Sequence, residues 1–229
     1  MFISPRALGD ASAGPATAEL LALARDRGAQ RVTLLSAVTV EDGGGHKRFA
    51  DTFKAVEDAA KASGLPWTIL RCTDFAANSL AWAPQILATG VVRGAYGNAA
   101  TSTVHEHDVA AVSARALLDP AHAGHCYILS GLQSLTQRDK VRIIGETIGK
   151  QLTWEEISAE QVRQTMISQG VPEEIPDRLL GYLADRVQQP GPSSTAVEQI
   201  LGRPPLSFAE WAAEHTAAFC DRNHKDAQG

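Results

Sequence analysis

Short apolar runs alternate with longer amphipathic ones through the first two thirds of the chain. Residues 31–36 (RVTLLS) form a β-branched and leucine run, the pattern of a strand buried on both faces of a parallel sheet. Residues 67–71 (WTILR) and 125–130 (HCYILS) read as further strands, as do 101–106, while 2–5 (FISP) reads as a strand end. Between them the period lengthens. Leu20, Leu21, Leu23 and Ala24 give a helical stripe over 16–27, with Gly28 as its stop. Phe49, Phe53, Val56 and Ala60 share one face of a helix over 46–63, which Gly64 ends. Further helices are predicted over 74–87, over 109–118 with Asp108 as N-cap, and over 136–149 with Thr136 as cap. Beyond these, helices over 159–168, 174–187, 194–201 and 208–221 are separated by prolines. The order predicts a doubly wound α/β sheet in residues 1–150 and a helix-rich cap over a substrate pocket in 151–229.

Ligands of such sheets sit beyond the carboxyl ends of the strands. The polar break after WTIL, at Arg71, Cys72, Thr73 and Asp74, is therefore where a pocket opens. Composition narrows what it serves. The 229 residues carry a formal net charge of -5, with basic residues scattered, which excludes the basic face that nucleic acid requires. No apolar run reaches the length of a membrane span. Cys72, Cys126 and Cys220 are odd in number and lie far apart, which points to a reducing cytoplasm rather than a disulfide framework.

The densest titratable cluster is His105-Glu106-His107-Asp108. Alternation along a strand places His105 and His107 on one side, but spacing suggests no third ligand, so no metal is predicted. An imidazole exchanges protons near neutrality, which makes His105 a candidate acid or base. Ser36 and Asp74 are the other catalytic candidates. Gly43, Gly44 and Gly45 read as a loop, not a phosphate cradle, because no strand immediately precedes them.

Six segments occur together in order: LLSAV (34–38), SGLPWTILR (63–71), VHEHDVAAVSARAL (104–117), HAGHCYILSGLQSLT (122–136), ETIGKQLTWEEIS (146–158) and LGRPPLSFAEWAAEH (201–215). Together they resemble the NmrA-like branch of the atypical short-chain dehydrogenases/reductases. The resemblance implies an N-terminally shortened Rossmann-like, doubly wound parallel sheet with a helical C-terminal cap. It also implies NADP(H) as cofactor. It assigns Ser36 to the serine that orients a carbonyl and places Asp74, Phe75 and Asn78 beside substrate and nicotinamide. Ser4, Arg71 and Cys72 complete the pocket set.

Three departures from the family pattern qualify this. The strand–GxxGxxG–helix opening that holds a dinucleotide pyrophosphate is not in the sequence, which starts near the family's fourth strand, roughly 60 residues in. Phe49 and Phe53 occupy the positions of the Tyr and Lys that transfer a proton in classical members. Arg71-Cys72 stands where Arg-Pro is usual, putting a thiol at the pocket mouth. The leading expectation is an oxidoreductase-like enzyme on a small organic molecule, with a degenerate cofactor site. A cofactor-independent isomerase, cyclase or dehydratase and a non-catalytic redox-sensing regulator are the alternatives. A shortened sheet exposes an edge, so a homo-oligomer or a rearranged N-terminus is expected to cover it.

Overall fold

A computed structural model describes residues 1–5, 13–42 and 47–220. The glycine run at 43–45 lies outside the described residues. The elements in chain order are β1 (Phe2–Ile3), α1 (Ala13–Asp26), β2 (Val32–Ala37), α2 (Thr39–Asp42), α3 (Lys47–Ala62), β3 (Trp67–Cys72), α4 (Ala83–Thr89), β4 (Val91–Gly94), β5 (Ala100–Thr101) and α5 (Glu106–Leu118). They continue with β6 (His125–Leu129), β7 (Leu135–Thr136), α6 (Gln137–Ile148), β8 (Thr153–Glu156), α7 (Ala159–Ser168), α8 (Glu174–Gln188), α9 (Ala196–Leu201), α10 (Phe208–Glu214) and α11 (Thr216–Phe219).

The main sheet has the order β1-β2-β3-β6, with every pairing parallel. Alternation along the strands divides its side chains between two cores. Val32, Leu34 and Ile69 face Leu21 of α1 and Val56 and Ala60 of α3. Leu70, Cys72 and Leu129 face Val109 and Val112 of α5 and Val197 of α9. Burial on both faces is what the uninterrupted apolar runs require. A third core, around Trp211, Phe208 and Ile144, joins α6 and α10 to Val92 of β4.

The turn between α3 and β3 aims the central strand. Gly64 sits at φ +75°, where a Cβ is sterically disfavoured. The Ser63 hydroxyl donates to the Ala60 carbonyl at 2.7 Å and accepts the Leu65 N–H at 3.1 Å, which closes the helix end.

Several elements depart from the sequence reading. Residues 74–87 do not form one helix: a 3-10 stretch at Ala76–Trp82 precedes α4. The strand expected over 101–106 is only Ala100–Thr101, because the chain turns into α5 at His105. The short parallel pair β4–β8 is additional, with Val92 against Trp154. The last long helix breaks at His215, dividing α10 from α11.

Candidate active site at the carboxyl edge of the sheet

At the end of β2, Ser36 donates its hydroxyl to Glu57 Oε1 of α3 at 2.7 Å. Arg71 of β3 grips the same carboxylate with two nitrogens, at 2.9 Å and 2.7 Å, and extends a third to Glu41. Glu57 is 1% exposed. Burial pushes its carboxyl up, but the Arg71 and Ser36 hydrogen bonds and the Arg71 charge outweigh that, holding it below the ordinary glutamate value. The Glu57 hydrogen bond likewise holds the Arg71 guanidinium above its ordinary value. Ser36 and Arg71 are thus brought together by Glu57, a residue that no motif in the sequence marks.

Just past β3 a second polar cluster forms. Asp74 Oδ2 accepts the Lys140 ammonium at 2.7 Å and the Thr101 hydroxyl at 3.1 Å, while Oδ1 accepts the Asn78 amide at 2.7 Å. Lys140 also donates to Thr101 Oγ1 at 2.7 Å. Its side chain is 1% exposed, against 18% for Asp74. A buried ammonium needs a charge partner, and α6 delivers Lys140 to one. Sequence reading missed Lys140: it lies 66 residues from Asp74, with no local motif marking it. The capping box at the start of α6, in which Thr136 and Asp139 satisfy each other's backbone N–H groups, was the available signal for where that helix enters.

Phe75 is half-buried and bridges to Val104. Asn78 is exposed and Ser4 half-buried just beyond β1. A small cleft of about 110 Å³ lined by Thr103, Gly131, Leu206 and Phe208 opens after β6. Cys72 corrects an expectation. Its thiol is 3% exposed, packed with Leu70 and Leu129 rather than placed at a pocket mouth, and burial pushes its pKa far up. Phe53 is 8% exposed in the core and stacks edge-on against Phe49, so this pair makes a packing stripe.

His105 is not on a strand. It caps α5, its Nδ1 accepting the His107 N–H at 3.2 Å. Asp108, expected as that cap, instead accepts the Leu206 N–H at 2.7 Å and pairs with Arg203. None of the hydrogen bonds among the described residues joins His105 to Asp74 or Ser36, so the three catalytic candidates fall into three separate clusters.

Among the described residues the cations around the carboxyl edge are held by carboxylates: Arg71 by Glu57 and Glu41, Lys61 by Glu57 at 3.4 Å, and Lys140 by Asp74 at 2.7 Å.

A parallel sheet with helices on both faces and polar groups at its carboxyl edge defines a Rossmann-like protein. No family model matches the chain. (4-Alkanoyl-5-oxo-2,5-dihydrofuran-3-yl)methyl phosphate reductase of Streptomyces griseus is 31% identical over 205 residues, covering 90% of this chain and 73% of that protein. The NADPH-dependent quinone oxidoreductase of Escherichia coli superposes with a TM-score of 0.73 at 25% identity, over 87% of this chain and 72% of that one. A mutant NmrA matches in fold, with a TM-score of 0.68 at 16% identity over 94% of this chain and 73% of its own. The chain belongs to the NmrA-like NAD(P)-binding family, and it is an oxidoreductase-like enzyme.

Proposed function

We propose that this protein is an NADP(H)-dependent reductase acting on a small, electron-poor organic acceptor whose carbonyl is conjugated to a C=C bond. The likeness to the Streptomyces reductase over 205 residues carries this reading. That relative is named for an alkanoyl oxo-dihydrofuran and the Escherichia protein for quinones, both conjugated carbonyl compounds. The cofactor, when bound, supplies the hydride.

The chain's own residues hold the acceptor. Asp74, Phe75 and Asn78 form one wall, fixed from behind by Lys140 and Thr101. Asn78 uses one amide hydrogen on Asp74, and its second is the donor offered to a substrate carbonyl. Phe75 supplies an apolar face against a flat acceptor. Ser36 spends its proton on Glu57, so its role is to fix the neighbouring Arg71–Glu57 pair. The cofactor site is degenerate on this reading, because charge at the carboxyl edge is already neutralised, and NADPH is held weakly.

The test is NADPH oxidation with a quinone or an unsaturated lactone as acceptor, at cofactor concentrations up to millimolar. The expected result is acceptor-dependent oxidation, with KM for the acceptor raised in Asn78→Ala. Absence of both turnover and any change in NADPH fluorescence at millimolar cofactor overturns the reading.

A further inference from the structure

His105 has a nitrogen that its capping role leaves unused. The ring is 2% exposed, and while Nδ1 accepts the His107 N–H, Nε2 makes no hydrogen bond. That buried nitrogen points toward the end of α10, where Glu214 Oε2 lies 3.5 Å away. The same carboxylate oxygen is 3.5 Å from His107 Nδ1. One donor atom from each residue fits within 4.8 Å of the others.

The two 3.5 Å separations approach a known chemical demand, and the wider one, up to 4.8 Å, closes by a turn of the exposed His107 side chain. Zinc bound to imidazole nitrogen and carboxylate oxygen at about 2.0–2.1 Å holds its tetrahedral donors roughly 3.3 Å apart. We propose that His105, His107 and Glu214 bind a divalent first-row transition-metal ion, with Zn²⁺ as the reference case. Two imidazoles select such an ion over Mg²⁺ or Ca²⁺, which prefer oxygen donors. The His107 and Glu214 side chains are 69% and 41% exposed, so a fourth position stays open to water.

The ring chemistry is consistent with this assignment. Nε2 binds the ion with its lone pair, so the neutral His105 ring carries its single proton on Nδ1 instead. Glu106 Oε2 lies 3.7 Å from Nδ1, beyond hydrogen-bond distance, and has to move closer to accept that proton in the carboxylate–histidine–metal arrangement. The cost is the Nδ1 bond to the His107 N–H. The start of α5 carries the positive helix-dipole end, but Glu106 and Asp108 in its first turn offset it. Bound metal then fastens α10 to the start of α5.

Sequence spacing missed this site because its third donor lies more than a hundred residues beyond the His-x-His pair. The site shares no residue with the Asp74–Lys140 cluster, so it stands or falls independently of the reductase assignment.

The experiment is a Co²⁺ titration of the untagged chain followed by visible d–d absorption, with Zn²⁺ as competitor and circular dichroism as a check of folding. One Co²⁺ per chain, displaced by Zn²⁺, is expected. Affinity is expected to fall more than about tenfold in both His107→Ala and Glu214→Gln, whose side chains are exposed enough to change without unfolding the protein. A wild-type chain that gives no bands, or bands of equal affinity in both variants, overturns the proposal.

Discussion

Asp74 and Lys140 are partners with unequal surroundings, and that inequality is measurable. Lys140 is almost wholly buried, whereas Asp74 reaches solvent and keeps Asn78 and Thr101 as donors. Asp74→Asn leaves a buried ammonium without its counter-charge and is expected to destabilise by about 3 kcal/mol. Lys140→Met leaves a carboxylate that is still hydrogen-bonded and partly hydrated, at a cost of about 1 kcal/mol. Urea denaturation of the two variants checks the order; equal losses would refute it. At this scale the sequence was a partial guide. The polar break that carries Asp74 was legible because it follows the end of β3, whereas Asn78 was named only through the family resemblance. Lys140, Glu57 and Glu214 were not, since each acquires its role from a partner on a separate element.

Elements built on one dominant period were read closely. β2, β3 and β6 lie within a residue or two of their apolar runs, and α7 matches its reading outright. Short elements with weak periodicity were misread. β4 ends in Gly94, and β8 has four residues, so neither presents a pattern until the two pair. The strand expected through Glu106 failed for a different reason: an imidazole at the N-cap outcompeted alternation. Gly64 belongs to this scale, because its left-handed φ sets the angle at which α3 hands over to β3. Gly64→Ala meets only Arg25 Nη1, at 3.7 Å, so its cost is conformational and expected to be about 1–2 kcal/mol. Thermal unfolding with an unchanged Tm would contradict that.

For the molecule as a whole, acid is the condition that probes the Ser36–Glu57–Arg71–Glu41 network. The carboxyl of Glu57 is held below its ordinary value of 4.5. A depressed folded-state value means that its contribution is complete above about that pH and is lost as pH falls through the lower folded value. Stability is therefore expected to decline from about pH 5 downward, and Glu57→Gln, though less stable at neutrality, is expected to lose less over the same range. Denaturation curves at stepped pH check this; parallel profiles would show that Glu57 is not a source of the acid sensitivity. The α/β class and layered sheet were legible at this scale, because buried parallel strands and amphipathic helices each leave a period in the chain. The way side chains divide among three clusters was not.

The wall completed by Lys140 also has a place in time. β2, α3 and β3 are contiguous in sequence and form a parallel unit, so the centre of the sheet assembles from near neighbours. Asp74 emerges with that unit, but its ammonium partner comes from a helix synthesised much later. Closure of long loops comes late in folding because its entropy cost precedes any reward. The Asp74–Lys140 contact is therefore expected to form after the β2–α3–β3 unit, when the 66-residue stretch between the two residues closes.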